Sequence, residues 1–464
     1  DDKKRFYVDF EFFKLIGSLA LLMFGMKSMS DSLQKMAGPQ LRHVLGAMTT
    51  NRFTGILTGT FITAAVQSST ATTVMTVSFV NAGLLTLAQA ISVIMGANIG
   101  TTLTAWIMSA GFSFNITDFV WPAFFIAILL IYSKKRKILG DFIFGVSFMF
   151  LGLGTLRQTG IDMDLAHNQP VLAFFTSFDP NSFTTTLVFL LIGSVLTMCV
   201  QSSAAIMAIT MILCSNGVLP IYQGIALVMG ENIGTTVTSN IAALTANTQA
   251  RRAAFAHMLF NMFGVFWVLC IFKPFIDMVC GFVGYDETIT KADPNFLANT
   301  ARLSFVLAAF HTTFNVANTL VLVGFVPQME KIVCKVIRPK KQNDEDDFRL
   351  RFIQTGIMKT AELSVLEAQK EISSFSERIQ RMFGMVRDLI NEKDEKKLLK
   401  IFSRIEKYEG ISDNMEIEIA KYLDQVSDAH LSDDTKAKIR AMLREISEIE
   451  SIGDSCYNIA RTIN

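Results

Sequence analysis

Residues 96–104 read GANIGTTLT and residues 230–238 read GENIGTTVT, so one stretch occurs twice in the 464-residue chain. A second pair precedes it, because residues 67–70 read QSST and residues 201–204 read QSSA. The offset is 134 residues for both pairs, from 96 to 230 and from 67 to 201. Two motifs at one fixed offset indicate that a whole segment of the chain is duplicated.

Both motif pairs lie in apolar surroundings. Hydrophobic residues make up 51% of the chain and charged residues 18%, whereas soluble domains carry about 25% charged residues. The only acidic or basic residue from Phe53 to Ser133 is Asp118, and the only one from Phe183 to Ala250 is Glu231. Segments this poor in charge predict helices that cross a lipid bilayer.

Apolar runs near the length of about 20 residues that spans a bilayer predict seven transmembrane helices. They lie near residues 12–33, 84–109, 119–133, 138–156, 219–245, 253–276 and 298–326. The apolar segments near 53–81 and 183–213 are too long for one crossing and carry the Gln-Ser-Ser motifs in their middles, which predicts two re-entrant helical hairpins. We therefore expect an all-α polytopic membrane protein.

Basic clusters set the expected orientation, because lysine and arginine favour the cytoplasmic loops. With the clusters at 35–52, 134–137, 251–252 and 335–341 inside, the acidic segment 277–293 falls outside. The first hairpin then enters from the inside and the second from the outside. This predicts inverted repeats, near residues 12–133 and 138–326, as in many secondary transporters.

The C-terminal part has a different composition. From Arg338 onward the chain holds 47 of its 83 charged residues. Residues 338–348 are predicted to be a charged linker between a transmembrane domain at 1–337 and a soluble domain at 349–464. Apolar residues in the last segment recur at steps of three and four, which predicts a bundle of three amphipathic helices.

Gln-Ser-Ser places polar groups where hydrocarbon offers no hydrogen-bond partner. We expect a half-helix to begin at each copy, so that backbone N–H groups and hydroxyls point at a shared site near the bilayer midplane. Helix N-termini attract anions, and the oxygens of broken helices coordinate Na⁺. The alternative is that small hydroxyl residues only allow close helix packing.

The second motif offers amide and hydroxyl oxygens, which suit alkali cations, unless the threonines merely bond to carbonyls of their own helix. Its candidate residues are Asn98, Thr101, Thr102, Asn232, Thr235 and Thr236. Neither repeat's polar cluster contains a lysine or arginine. Co-bound cations must then balance an anion, which predicts coupling to Na⁺. Glu231 replaces Ala97 of the first copy and either tunes cation or proton coupling or bonds a hydroxyl.

Two further patterns bear on function. His257 and His311 each begin a His-x-x-Phe-Asn sequence, which favours an interhelical hydrogen bond for each histidine. The carboxylate pairs Glu409/Asp413 and Glu450/Asp454 have one-turn spacing that can hold a divalent metal, the alternative being a solvated acidic face.

Other function classes lack support in the sequence. A net charge of +1 with scattered basic residues excludes a nucleic-acid partner. We find no Walker A loop, nucleophile elbow or catalytic triad pattern, so we expect no enzyme.

The duplicated motifs resemble those of the type II sodium/phosphate cotransporter family over residues 12 to about 326. The resemblance implies Na⁺-driven uptake of inorganic phosphate. It places substrate and cation binding at hairpin tips, namely Gln67, Ser68, Ser69, Thr70, Gln201, Ser202 and Ser203, and at the six candidate residues of the second motif. Ala204 departs from the family pattern, where a third hydroxyl is common.

Residues 350–464 are similar to one three-helix unit of PhoU, a phosphate-signalling protein. A transporter joined to PhoU-like helices is a bacterial arrangement, which implies the inner membrane with this domain in the cytoplasm. A regulatory partner or a homo-oligomer would fit such a domain. Two rival functions stay open, namely a membrane phosphate sensor without translocation, and a Na⁺-coupled carrier of another oxyanion or a carboxylate.

Overall fold

The computed structural model describes residues 2–48, 50–81, 84–114, 116–164, 168–245, 248–289, 292–338, 350, 353, 361–427, 431 and 433–463. Within these ranges the secondary structure is helical and contains no β-strand. The predicted all-α class is therefore confirmed. Most of the predicted charged linker, residues 339–348, lies outside the described residues.

Fifteen helices fill the described part before residue 338. They are α1 (Asp2–Met48), α2 (Arg52–Val66), α3 (Ser69–Asn81), α4 (Leu87–Ser113), α5 (Thr117–Ile131), α6 (Lys137–Asp162), α7 (Gln169–Thr176), α8 (Phe183–Val200), α9 (Ser203–Ser215), α10 (Ile221–Ala242), α11 (Thr248–Cys270), α12 (Phe272–Val283), α13 (Phe296–Ala301), α14 (Leu303–Leu322) and α15 (Val326–Val336). The C-terminal helices are α16 (Ala361–Asn391), α17 (Glu395–Ser427) and α18 (Asp433–Ile463).

Six helices among the described residues are long and apolar enough to cross a membrane. They cover Phe10–Ala37, Leu87–Ser113, Lys137–Asp162, Phe183–Val200, Thr248–Cys270 and Ala298–Val336. The prediction of seven spans differs from this set in three places. Helix α5 has 15 residues, or about 22 Å against a hydrocarbon core of about 30 Å. Helix α10 has 22 residues but is not in the set. Helix α8, predicted as half of a hairpin, is long and apolar enough to cross alone.

The chain forms two compact units. The first comprises Asp1–Thr73, Leu87–Ala242 and Ala253–Val333, and the second comprises Val74–Thr86, Ala243–Arg252 and Cys334–Asn464. In the first unit α2 packs along α4, and α8 packs along α10. In the second unit α16, α17 and α18 pack on one another around buried side chains that include Phe375, Tyr408 and Ile446. The three helices predicted from the apolar periodicity are thus confirmed.

Glycines bring the paired helices of the first unit into backbone contact. A Cβ atom on Gly96 would lie 1.9 Å from the carbonyl oxygen of Ile56, and one on Gly230 would lie 2.2 Å from that of Leu190. Ile56 and Leu190 are also separated by 134 residues. The same relation holds for Gly59 against Val93 and for Gly193 against Leu227. The pair α2/α4 and the pair α8/α10 therefore make equivalent contacts.

Candidate functional site

Both Gln-Ser-Ser motifs break the helix in the same way. Gln67 has φ 56° and ψ 31°, and Gln201 has φ 55° and ψ 29°, which is the left-handed region. This conformation costs a side-chain-bearing residue about 1–2 kcal/mol. The backbone N–H of each glutamine donates to the carbonyl four residues earlier, at 2.7 Å to Thr63 and 2.8 Å to Thr197. Both copies thus use one strained residue to end a helix at the polar motif.

A new helix begins directly after each break. Ser202 is the N-cap of α9, and its Oγ accepts a hydrogen bond from the backbone N–H of Ala205 at 3.2 Å. The Oγ of Ser68 accepts the equivalent bond from Ala71, also at 3.2 Å. Helices α3 and α9 start at Ser69 and Ser203, as the sequence predicted. The positive ends of two helices therefore lie beside the two motifs.

The two glutamine side chains differ in their surroundings. The Oε1 atom of Gln67 accepts a hydrogen bond from the hydroxyl of Thr104 at 3.1 Å, and its Nε2 donates to the carbonyl of Ala64 at 2.5 Å. Gln67 therefore connects the first break to α4. The side chain of Gln201 is exposed, as is that of Thr70.

The motif threonines bond to their own helices. Thr101 and Thr102 donate to the carbonyls of Ala97 at 2.9 Å and Ile99 at 2.7 Å. Thr235 and Thr236 donate to the equivalent carbonyls, of Glu231 at 2.9 Å and Ile233 at 2.7 Å. These bonds match the alternative considered from the sequence, in which the threonines bond to carbonyls of their own helix. They occupy the hydroxyl hydrogens, while the oxygen lone pairs stay available to a cation.

The motif asparagines bond to the two histidines. Nε2 of His257 lies 3.0 Å from Oδ1 of Asn98, and Nε2 of His311 lies 3.3 Å from Oδ1 of Asn232. The predicted interhelical hydrogen bonds are confirmed. The sequence did not show that each histidine bonds to the asparagine of one GxNIGTT copy. The presence of two copies of each motif could have suggested this one-to-one pairing. Nδ2 of Asn98 also donates to Oδ1 of Asn261 at 3.4 Å, so Asn98 is held inside the protein.

Three of the four predicted metal-binding carboxylates meet in the C-terminal bundle. Carboxylate oxygens of Glu409, Asp413 and Asp454 all lie within 4.8 Å of one another, whereas Glu450 is outside this group. Burial, and then the charges of Asp413 and Asp454, raise the pKa of Glu409 above its ordinary value of 4.5. Burial, and then Asp454, likewise raise the pKa of Glu450. The group has the oxygen donors that a divalent cation prefers.

Comparison with known proteins gives two family matches. The profile described as Na⁺/Pi-cotransporter matches residues 21–158 and 178–282, and that described as PhoU domain matches residues 372–463. No solved structure matches the chain.

Several curated proteins are similar to the chain. A protein of Escherichia coli K12 named for inorganic phosphate export, YjbB, is 26% identical over 392 residues, which cover 83% of this chain and 67% of the relative. The uncharacterized protein YqeW of Bacillus subtilis is 30% identical over 276 residues, covering 58% of this chain and 85% of the relative. Sodium-dependent phosphate transport protein 2A of Rattus norvegicus is 34% identical over 107 residues, covering 23% of this chain and 17% of the relative.

Proposed function

Because the chain belongs to the Na⁺/Pi-cotransporter family, we propose that it is a symporter that imports inorganic phosphate with Na⁺ by alternating access. The membrane would be a bacterial inner membrane, with the PhoU domain in the cytoplasm. The family is one of transporters, so the proposal includes no enzymatic reaction. The rat relative is named for sodium-dependent phosphate transport, which supports both the cargo and the coupling ion.

The observation that carries the proposal is the pair of helix starts at the Gln-Ser-Ser motifs. Phosphate carries a charge of about −1 to −2 near neutral pH. Two helix N-termini offer about half a positive charge each, and the motifs contribute no lysine or arginine. The remaining negative charge needs co-bound cations, because an uncompensated charge away from water is costly. Na⁺ and phosphate would therefore occupy neighbouring sites, with Ser69 and Ser202 near the anion.

The mechanism rests on two repeats of inverted topology with two re-entrant hairpins. Helix–helix contacts that recur at the 134-residue offset support the equivalence of the repeats. Identical left-handed breaks at Gln67 and Gln201 support the assignment of two matched tips. Rocking of one repeat against the other would then expose the site to each side in turn.

The direction of transport is a separate question, since YjbB is named for phosphate export. An inward Na⁺ gradient drives tightly coupled phosphate inward, which is why we propose import. Export is the second candidate, and that relative's name favours it.

Proteoliposomes that contain the full chain test the function. We expect labelled phosphate to accumulate when Na⁺ is outside and not when K⁺ replaces it. Equal phosphate uptake with Na⁺ and with K⁺ outside would contradict symport. Phosphate efflux that needs no Na⁺ gradient would favour export. Saturable phosphate binding without flux would favour the sensor. Stronger competition by sulfate or a dicarboxylate than by unlabelled phosphate would indicate that the transported substrate is another oxyanion or a carboxylate.

The PhoU domain has its own proposed ligand, a divalent metal at Glu409, Asp413 and Asp454, with Glu450 beside them. Regulation of transport by this domain, through a partner or a second copy of the chain, would respond to that metal. The pKa of Glu409 and of Glu450 is raised in the folded domain. Their contribution to stability is therefore fully present below about pH 4.5 and is lost as the pH rises through the raised values.

A bound divalent cation should offset this loss, so Mn²⁺ or Mg²⁺ should raise the unfolding temperature of the PhoU domain more at pH 7.5 than at pH 5. We expect Asp454→Asn to abolish the metal-dependent increase and to stabilise the metal-free protein at pH 7.5. Scanning calorimetry of the full chain measures both effects. Asp388→Asn, at an exposed position on α16, is the control. An equal metal response in Asp454→Asn and the parent would contradict the site.

A further inference from the structure

Two buried oxygen atoms lack hydrogen-bond partners that their counterparts in matching sequence motifs possess. The hydroxyl of Thr63 donates to Oγ1 of Thr72 at 2.9 Å. The counterpart of Thr63 at the 134-residue offset is Thr197, but the counterpart of Thr72 is Ile206. Oγ1 of Thr197 consequently bonds to none of the described residues, although the residue is only 1% exposed.

The last residues of the two His-x-x-Phe-Asn sequences, Asn261 and Asn315, differ in a similar way. Nδ2 of Asn261 donates to the carbonyl of His257 at 3.2 Å, and Nδ2 of Asn315 donates to that of His311 at 2.8 Å. The Oδ1 atom of Asn261 accepts a hydrogen bond from Asn98. Among the described residues, Oδ1 of Asn315 accepts none, and this side chain is fully buried.

Glu231 adds a carboxylate to the second repeat, where the first repeat has Ala97. The residue is 1% exposed, and within the described chain its Oε1 atom makes no hydrogen bond. The helices that pack on α10 are α8, α9 and α14, and they contain no lysine or arginine. Their titratable groups are Cys199, Cys214 and His311. An ionised carboxylate in this position therefore lacks a cationic side chain on any helix packed against it.

The helix geometry places α8 and α14 on the two sides of Glu231. Successive residues are about 100° apart on a helix, so Glu231 lies between Asn232 and Gly234 on the surface of α10. A Cβ atom on Gly234 would lie 2.8 Å from Cβ of Thr197. On the other side, Asn232 contacts His311, which is one turn before Asn315 on α14. Thr197 of α8 therefore lies on one side of Glu231, and the turn of α14 from His311 to Asn315 lies on the other.

We propose that the Glu231 carboxylate, the Thr197 hydroxyl and the Asn315 amide oxygen form a Na⁺ site that the first repeat lacks. The inference rests on the proposed function and deepens it. A hard cation takes such oxygen ligands, and its charge neutralises the buried carboxylate. The repeats are then unequal, because only the second copy of the GxNIGTT motif carries a full negative charge. This site binds Na⁺ without phosphate.

The test measures NaCl binding to the purified full chain in the absence of phosphate, by calorimetry or by the Na⁺-dependent shift in unfolding temperature. Glu231→Gln keeps the shape of the side chain and removes its charge. We expect the Na⁺ dissociation constant to rise about 10- to 100-fold. Thr197→Val should weaken Na⁺ binding in the same direction and by a smaller factor.

Two matched variants serve as controls. Thr63→Val makes the same change in the first repeat, where the hydroxyl is already bonded to Thr72. Gln223→Met removes another buried polar side chain from α10. Neither control should alter the Na⁺ dissociation constant. A Glu231→Gln protein that binds Na⁺ as tightly as the parent overturns this site alone. A parent that binds no Na⁺ without phosphate also overturns this site, whereas the proposed coupling fails only if phosphate binding is insensitive to Na⁺.

Discussion

Gly230→Ala and Gly96→Ala are each expected to abolish phosphate transport by preventing the paired helices from approaching. A Cβ atom on Gly230 would lie 2.2 Å from the carbonyl oxygen of Leu190 and 2.7 Å from the backbone nitrogen of Ser194. These are backbone atoms, so the conflict is relieved only if α8 and α10 move apart. Overpacking typically costs about 1–3 kcal/mol, and separation of two helices at the transport motif should cost more.

The measurement is the unfolding temperature of the purified protein together with phosphate uptake in proteoliposomes. Gly281→Ala is the matched control, because a Cβ atom there meets no atom within 4 Å. Alanine in a helix is favoured over glycine by about 0.5–1 kcal/mol, so the control should be slightly stabilised and remain active. Normal stability and uptake in Gly230→Ala would show that the contact between α8 and α10 is adaptable.

Phosphate affinity is expected to fall about 5- to 150-fold when K⁺ replaces Na⁺, which corresponds to a coupling free energy of about 1–3 kcal/mol. The physical reason is the charge at the two Gln-Ser-Ser motifs. Helix N-termini supply about one positive charge in total, whereas phosphate brings one to two negative charges. Glu231, if ionised, adds another negative charge to the second repeat and increases the need for cations.

Isothermal titration of phosphate into the protein at equal concentrations of NaCl, KCl and choline chloride measures this coupling at constant ionic strength. Linkage requires that phosphate tighten Na⁺ binding by the same factor. Tight phosphate binding in KCl would show that the protein alone neutralises the anion. The cations would then have no role in binding, and the coupling mechanism would be wrong.

The local features of the site could be predicted from the sequence. The two motif pairs at one offset indicated the duplication, and the runs of apolar residues predicted membrane-spanning helices. The break at Gln-Ser-Ser and the helix start at Ser69 and Ser203 followed from polar residues inside apolar segments. Such features depend on neighbours within a few residues and on the free energy of transferring side chains from water to lipid. They can therefore be predicted without the tertiary structure.

The choice of partners was decided only by the tertiary structure. His257 on α11 contacts Asn98 on α4, although 159 positions separate them in the chain. The packing of the two helices decides that contact. Tertiary structure also decides which carboxylates meet. Glu450 has the predicted one-turn spacing from Asp454 but is not among the three residues whose carboxylate oxygens lie within 4.8 Å of one another. Thr197 and Asn315 did not stand out in the sequence, because a hydroxyl or an amide becomes a candidate ligand only when packing buries it without a hydrogen-bond partner. The sequence by itself therefore determined the repeats, the helices and their breaks, whereas the packing of α8, α10 and α14 decided which polar atoms remain available to an ion.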